Sequence, residues 1–194
     1  MSVVVALPKN GVVYFAADNQ TTASSRAFEI DSEEAYKLQV IGDWVVGSVG
    51  NVNYIQLCLN VLNKLKDKPL SKALIVKEFI PEFIKEATEA GFIDKDNKYK
   101  SFDNAMPSFL IGCKGDLYEV SSSLVLKIET VDTVGSGETF LLNSINEDMA
   151  EEDINDNLVK AIRRYGSNNI YVNKNVELAN TRDLKVEVLY DRNL

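Results

Sequence analysis

The chain has 194 residues, of which 45% are hydrophobic and 26% are charged, values that are typical of one globular domain with a sizeable core. Its 29 acidic residues exceed its 21 basic residues, and the net charge of −8 argues against a surface for nucleic acid or anionic membranes. No segment approaches the roughly 18 apolar residues of a membrane span, and the N-terminus lacks the features of a signal peptide, so we expect a cytoplasmic protein.

Histidine is absent from the sequence. Its absence excludes Ser-His-Asp and Cys-His catalytic arrangements, as well as zinc sites built on imidazole. A hydrolase of this composition must therefore use a carboxylate, a lysine or its own terminal amine as the base. The two cysteines, Cys58 and Cys113, lie in apolar stretches, and we interpret them as core residues in a reducing compartment. We expect neither a metal site nor a cofactor.

The N-terminal half predicts two β-hairpins followed by two helices. Strand-like apolar runs occupy residues 3–7, 12–17, 35–41 and 44–46. Asn10-Gly11 is a hairpin signal between the first two strands, and the polar residues 21–32 are expected to be irregular. Apolar residues at helical spacing predict helices over residues 51–67 and 71–90, with Ser71 as the N-cap of the second and a kink at Pro81.

The C-terminal half repeats this order. Strands are predicted over residues 108–113, 116–120, 124–129, 169–172 and 184–190. Helices are predicted from "TVGSGE" to about residue 149 and over residues 151–165. Strands and helices that alternate in blocks predict an α+β fold, in which helices are layered on stacked, mainly antiparallel sheets.

Four segments in this order carry a family resemblance: "GVVYFAADNQTT", "VVGSVGN", "VGSGETF" and "AIRRYGSNNIYVN". Together they resemble the proteasome β-subunit and the bacterial HslV peptidase, which are N-terminal nucleophile (Ntn) hydrolases, over nearly the whole chain. The resemblance implies a four-layer αββα sandwich that spans residues 1–194 as a single domain. It also implies assembly with itself into a ring or barrel, a polypeptide substrate and an unfoldase ATPase as a further partner.

The resemblance assigns catalytic roles to four residues. In the family the first residue of the mature chain is the nucleophile, and its α-amine, with an ordinary pKa of about 7.7–8.0, accepts the hydroxyl proton. Ser2 becomes that residue if Met1 is removed, Asp18 matches the supporting acid, Gly47 matches the oxyanion donor and Ser136 matches the serine beside the amine. Each residue also has an ordinary explanation. Ser2 would be a small second residue and Asp18 a turn residue at the end of a strand. Gly47 would allow a close approach of two segments, and Ser136 would be a helix N-cap.

Four further residues fall where the family lines its substrate groove. They are Thr21, Thr22, Val45 and Val49. An apolar first pocket would follow from them, although strand and core residues of these types have the same appearance in a sequence.

The sequence departs from the family pattern at two charged positions. Alignment of "EEAYKLQV" to the third family strand puts Glu34 in place of the family lysine, and strand alternation then turns Lys37 to the opposite face. An anion beside the nucleophile disfavours an alkoxide. The second family acid falls on Ser167, which carries no charge.

Three functions follow as hypotheses. The first is an Ntn-type threonine/serine endopeptidase that acts on unfolded polypeptide through Ser2. The second is a catalytically silent subunit that only builds the ring, as the changes at Glu34 and Ser167 and a retained Met1 would favour. The third is an Ntn amidase that acts on a small amide.

Overall fold

The computed structural model describes residues 2–23, 26–29, 32–33, 36–94, 106–122, 124–169 and 172–191, and for residues 22–23 and 26–29 it describes the backbone alone. Met1 and Glu34 lie outside the described residues. The strands are β1 (Val3–Lys9), β2 (Val12–Asp18), β3 (Gln20–Ala23), β4 (Arg26–Glu29), β5 (Leu38–Ile41), β6 (Trp44–Val49), β7 (Ser108–Cys113), β8 (Asp116–Val120), β9 (Val125–Ile128), β10 (Asp132–Gly135), β11 (Val176–Asn180) and β12 (Glu187–Leu189). The helices are α1 (Val52–Leu65), α2 (Lys72–Leu74), α3 (Ile80–Glu89), α4 (Glu138–Leu142) and α5 (Ile154–Gly166).

Two five-stranded sheets form the centre of the fold. The first has the order β10-β1-β2-β11-β12 and the second the order β5-β6-β7-β8-β9. All of their described strand pairs are antiparallel. β3 and β4 form a separate hairpin beside them.

Three apolar cores separate four layers. One core lies between the second sheet and helices α1 to α3, another between the first sheet and helices α4 and α5, and the third between the two sheets. The chain therefore has the α+β, four-layer αββα architecture that the resemblance implied. Among the described residues, no helix combines the length and apolar character that a membrane crossing requires.

Strand β1 is buried on both of its faces. Val3, Val5 and Leu7 pack towards the helices, whereas Val4 and Ala6 pack towards the second sheet. This explains why the run is apolar without alternation, since both faces of an internal strand lie in a core.

The predicted turn between the first two strands is confirmed. Lys9 pairs with Val12, and the two turn residues, Asn10 and Gly11, both have positive φ, at 51° and 76°. Positive φ at both central positions is the geometry of a type I′ turn, which Asn-Gly favours.

The helix predicted over residues 71–90 forms, and in the turn ahead of Pro81, where a kink was predicted, it changes from α-helical to π-helical. Ser71 Oγ accepts the N–H of Leu74 at 3.1 Å, as expected of an N-cap. Ile75–Phe79 is a π-helical segment, and the Ile80 N–H donates to the Ile75 carbonyl. Proline has no N–H and crowds the carbonyl of the preceding turn, and the wider π turn accommodates it.

Three predicted elements are wrong. Within residues 21–32, expected to be irregular, the chain forms the strands β3 and β4. The helix expected to reach residue 149 ends at Leu142. The strand predicted over residues 169–172 is also wrong, because neither Asn169 nor Val172 is in a strand. The strand in this part of the chain is β11, and it was not predicted because Glu177 at its second position interrupts the apolar pattern by which strands are recognised.

Candidate active site

Two adjoining cavities meet at Ser2. The larger has a volume of about 650 Å³ and the smaller about 60 Å³. Both are lined by Ser2, Thr21, Val49, Gly50 and Val52. Ser2 belongs to the end of the first sheet and Gly50 follows the end of β6 in the second, so the site lies where the two sheets meet.

Ser136 holds the backbone of Ser2. The Ser136 N–H donates to the Ser2 carbonyl at 3.0 Å, and the Ser136 hydroxyl lies 3.5 Å from the same oxygen. The Ser136 carbonyl in turn accepts the Tyr165 hydroxyl at 2.5 Å, and the Asn169 side chain donates to that hydroxyl at 2.8 Å. The first residue of α4 is preceded by Gly137, so the N-cap alternative for Ser136 is wrong.

Gly135 allows this close approach. Its φ is +110°, and a Cβ atom at this position would lie 2.0 Å from the Ser2 carbonyl oxygen. The turn that brings Ser136 to Ser2 therefore requires glycine.

Asp18 and Lys37 form a buried ion pair directly behind Ser2. Lys37 Nζ lies 2.7 Å from Asp18 Oδ1 and also donates to the Asp18 carbonyl at 2.7 Å. Asp18 Oδ1 accepts the N–H of Val3, the residue after Ser2, at 2.8 Å. Asp18 is fully buried and Lys37 is 7% exposed.

This pair corrects the expectation that strand alternation turns Lys37 to the face opposite the position of the family lysine. The expectation used strand alternation, but β5 begins only at Leu38, so Lys37 precedes the strand and alternation does not govern it. A lysine therefore lies beside Asp18, although the family resemblance put Glu34 in the place of the family lysine. Glu34, its predicted replacement, lies outside the described residues.

Burial opposes the charge on both members of the pair. Desolvation raises the pKa of Asp18, against the attraction and hydrogen bond of Lys37. Desolvation also lowers the pKa of Lys37, against the attraction of Asp18 and Glu177. Asp18 Oδ2 is buried and has no hydrogen-bond partner among the described residues.

A second buried carboxylate, Glu177, lies beside the pair and was missed in the sequence. It is fully buried in β11, where it accepts the Leu38 N–H at 2.8 Å and the Asn19 side-chain N–H at 3.0 Å. Desolvation raises the pKa of Glu177 to about 7, although the bonds from Leu38 and Asn19 and the charge of Lys37 oppose the shift. A lone acidic residue in a short strand gives no signal of this environment.

We expect Glu177→Gln to become more stable relative to the wild type as the pH rises. The pKa of Glu177 rises from 4.5 to about 7 on folding, so the folded state favours the protonated form. The wild type therefore keeps its full free energy of unfolding below pH 4.5 and loses about 3 kcal/mol of it as the pH rises through 7. The variant has no carboxyl group at this position and does not lose this contribution. Urea unfolding of both proteins at several pH values measures it, and an unchanged difference would contradict the shifted pKa.

Of the residues predicted as oxyanion donor and substrate groove, two line the cavities and two are buried in the core. Gly47 lines neither cavity: it lies within β6, where a Cβ atom would come 2.4 Å from Val4 Cγ1. Val45 is also buried between the sheets, because its position in β6 points it at the first sheet. Thr21 and Val49 line both cavities.

The remaining predicted residues lie apart from the ion pair or are not described. The side chain of Thr22 lies outside the described residues. Ser167 is exposed, and its hydroxyl donates to the Arg163 carbonyl of its own helix at 2.9 Å. In the described part of the chain, no cluster of three or more metal-ligating side chains occurs.

Comparison with solved structures finds close architectural likenesses. HslV from Trypanosoma brucei is 19% identical, with 92% of this chain and 98% of that chain covered at a TM-score of 0.67. BPH from Thiobacillus denitrificans is 17% identical, with coverages of 92% and 96% and a TM-score of 0.69. Anbu, an ancestral beta-subunit, from Yersinia bercovieri is 14% identical, with coverages of 98% and 87% and a TM-score of 0.70. No protein-family model and no curated protein matches the sequence.

These likenesses, together with the four layers, define the class of fold. The chain has the fold of the Ntn hydrolases. Over most of its length its architecture is similar to that of HslV, BPH and Anbu.

Proposed function

We propose that this chain is a cytoplasmic, ring-forming, proteasome-like subunit that hydrolyses peptide bonds of unfolded polypeptide through Ser2. The observation that carries the proposal is the buried contact of Lys37 with Asp18, which in turn binds the N–H after Ser2. A buried charge pair is costly to maintain, and perturbed charged groups beside a cleft are typical of catalytic sites.

The proposed reaction begins with the hydroxyl of Ser2. Once Ser2 is the first residue, its α-amine takes the hydroxyl proton, and the oxygen attacks the scissile carbonyl. The Lys37 ammonium favours the developing negative charge on that oxygen. The amine then gives the proton to the leaving amine, and water hydrolyses the acyl-enzyme by the reverse sequence.

We assign the oxyanion donor to Gly50 in place of Gly47. Gly50 lines both cavities at Ser2 and immediately precedes Asn51, the N-cap of α1. Backbone N–H groups at the start of a helix carry partial positive charge and stabilise an oxyanion. Gly47 is engaged in close packing between the sheets.

The smaller cavity suits a small apolar side chain of the substrate. Val49, Ile55 and Leu59 are among its walls. Its volume of about 60 Å³ is a fraction of that of the larger cavity, which can receive the neighbouring substrate residues. An unfoldase ATPase would supply the extended polypeptide, because the sequence has no phosphate-binding loop of its own.

We expect peptidase activity that depends entirely on Ser2. The test uses untagged protein, whose intact mass reports whether Met1 has been removed, and fluorogenic peptides with small apolar residues before the scissile bond. Ser2→Ala removes the nucleophile and is expected to lower the rate to that of buffer. Epoxomicin, with which BPH from Thiobacillus denitrificans has been solved in complex, is a second probe, expected to inhibit the wild type.

Ser144→Ala is the matched control for Ser2→Ala. Its hydroxyl is exposed and bonds to a carbonyl of its own segment, away from both cavities, so full activity is expected. Equal hydrolysis by the wild type and Ser2→Ala would contradict the proposal.

A silent, ring-building subunit is the second candidate. It is favoured by Ser167, the uncharged residue at the place of the second family acid, which bonds only within its own helix among the contacts described. A wild type that has lost Met1 and assembles, but cleaves no peptide, would establish this alternative.

A further inference from the structure

The peptide bond between Lys37 and Leu38 is held from two sides. Its carbonyl accepts the Ser48 N–H of β6 at 3.0 Å. Because the carbonyl and N–H of a trans peptide point in opposite directions, the Leu38 N–H is directed off the edge of the second sheet. There it meets Glu177 of the first sheet at 2.8 Å.

Glu177 reaches across the space between the sheets to make this bond. Its neighbours in β11, Val176 and Leu178, pack towards the helices, whereas Ala179 packs between the sheets. By alternation, Glu177 points with Ala179 towards the second sheet. An unpaired N–H at the edge of a buried strand is costly, and the carboxylate satisfies it.

The other oxygen of Glu177 binds next to Asp18. It accepts the side-chain N–H of Asn19. The backbone of Asn19 is fixed as well: its carbonyl accepts the Asn173 side chain at 2.7 Å, and its N–H donates to the Asn175 carbonyl at 2.9 Å. The two residues that Glu177 binds, Asn19 and Leu38, are therefore the immediate chain neighbours of Asp18 and Lys37. The Glu177 carboxylate therefore fixes the backbone or side chain next to each member of the ion pair.

We propose that Glu177 is a positioning residue that holds the Lys37 ammonium on Asp18 and keeps it charged through a second negative charge nearby. Its role in hydrolysis rests on the function proposed above, whereas its effect on Lys37 does not. Among the described residues, the charged groups that act on Glu177 are Lys37, ahead of β5, and Asp18, at the end of β2. Lys37 attracts the ionised carboxylate and Asp18 repels it.

Glu177→Gln isolates the charge. Glutamine has nearly the same shape, and its side-chain oxygen can accept the Leu38 N–H, while its amide group replaces the carboxylate oxygen that faces Asn19. Below pH 5 the wild type carries a neutral Glu177, so kcat/KM of the two proteins should agree. As Glu177 ionises through pH 7, we expect the wild type to become about tenfold faster than the variant, which corresponds to one pKa unit on a linked group.

Glu177→Asp isolates the position. It keeps the charge but withdraws the carboxylate from Leu38 by one methylene, and we expect kcat to fall with KM nearly unchanged, because substrate does not touch this residue. Glu187→Gln is the matched control: its carboxylate is exposed in the neighbouring strand β12 and pairs with Lys185. Its pH profile should follow that of the wild type.

A measurement on Lys37 itself tests the proposal without any hydrolysis. In protein labelled with ¹⁵N at the lysine side chain, the Lys37 resonance is assigned by its loss in Lys37→Met, and its titration is followed by NMR. We expect a lower pKa of Lys37 in Glu177→Gln than in the wild type and in Glu187→Gln. An equal pKa in all three proteins would overturn the proposal.

The two proposals can fail separately. If the wild type hydrolyses nothing, the peptidase function fails, and the NMR titration still decides the role of Glu177. If hydrolysis depends on Ser2 but the ratio of kcat/KM between wild type and Glu177→Gln stays constant from pH 5 to 8, the positioning role fails alone.

Discussion

Replacing Lys37 with methionine is expected to lower Ser2-dependent hydrolysis by about 100-fold, as loss of an electrostatic stabiliser does at other sites, and to reduce the free energy of unfolding by about 3–5 kcal/mol. Methionine fills the space of the lysine stem but leaves the fully buried Asp18 carboxylate without its cation. Peptide hydrolysis and urea unfolding measure the two effects. Lys64→Met is the control, since Lys64 is more than half exposed and its pairing with Glu86 is screened by solvent and contributes little to stability.

A double variant separates stability from activity. Asp18→Asn together with Lys37→Met removes both members of the ion pair. Below pH 7, where Glu177 is mostly neutral in the folded protein, much of the lost stability should return because the carboxylate in contact with Lys37 is removed as well. Activity should stay low, since the cation beside Ser2 is still missing. Recovery of both properties would mean that Lys37 serves folding alone and would contradict its proposed role.

Gly135→Ala is expected to destabilise the protein by about 3 kcal/mol and to disturb the site at the same time. The new Cβ atom would lie 2.0 Å from the Ser2 carbonyl oxygen, so β1 or β10 must shift, at the cost of overpacking a buried contact. Alanine also disfavours the φ of +110°. Thermal or urea unfolding measures the stability, and the rate of peptide hydrolysis reports the displacement of Ser2.

Gly91→Ala is the matched control for the collision. Gly91 also has positive φ, at +78°, but a Cβ atom there meets nothing within 4 Å. We expect a loss of about 1 kcal/mol from the backbone conformation alone. Equal losses at both positions would show that the backbone at Gly135 relaxes away from Ser2 without cost.

Residues whose environment is local could be predicted from the sequence. The Asn10–Gly11 turn and the Ser71 cap depend on interactions within a few residues, and both are confirmed. Asp18 could also be placed, since it ends a strand whose apolar pattern is clear.

Residues whose role depends on contacts between sheets could not be predicted in this way. Lys37 lies just before β5, where alternation has no strand to follow, and its orientation depends on Asp18 in the other sheet. Glu177 is a polar residue in the middle of a short strand, and only the stacking of the sheets brings it to Leu38. Gly47 and Gly50 have equivalent surroundings in the sequence, but one is enclosed in packing and the other borders both cavities.

Gly47 and Gly112 in the second sheet leave space for side chains of the first sheet, and this packing fixes the position of one sheet relative to the other. The Val4 side chain fills the place of the missing Cβ of Gly47, and the Phe15 ring does the same above Gly112, where a Cβ would come within 2.8 Å. A displacement of one sheet along the other would move both side chains away from these glycines and against residues that carry a Cβ atom. Ser2 is carried by one layer and Gly50 by the other, so their alignment is set by this interlocking deep in the core, and the geometry of the cleft is as rigid as the stacking beneath it.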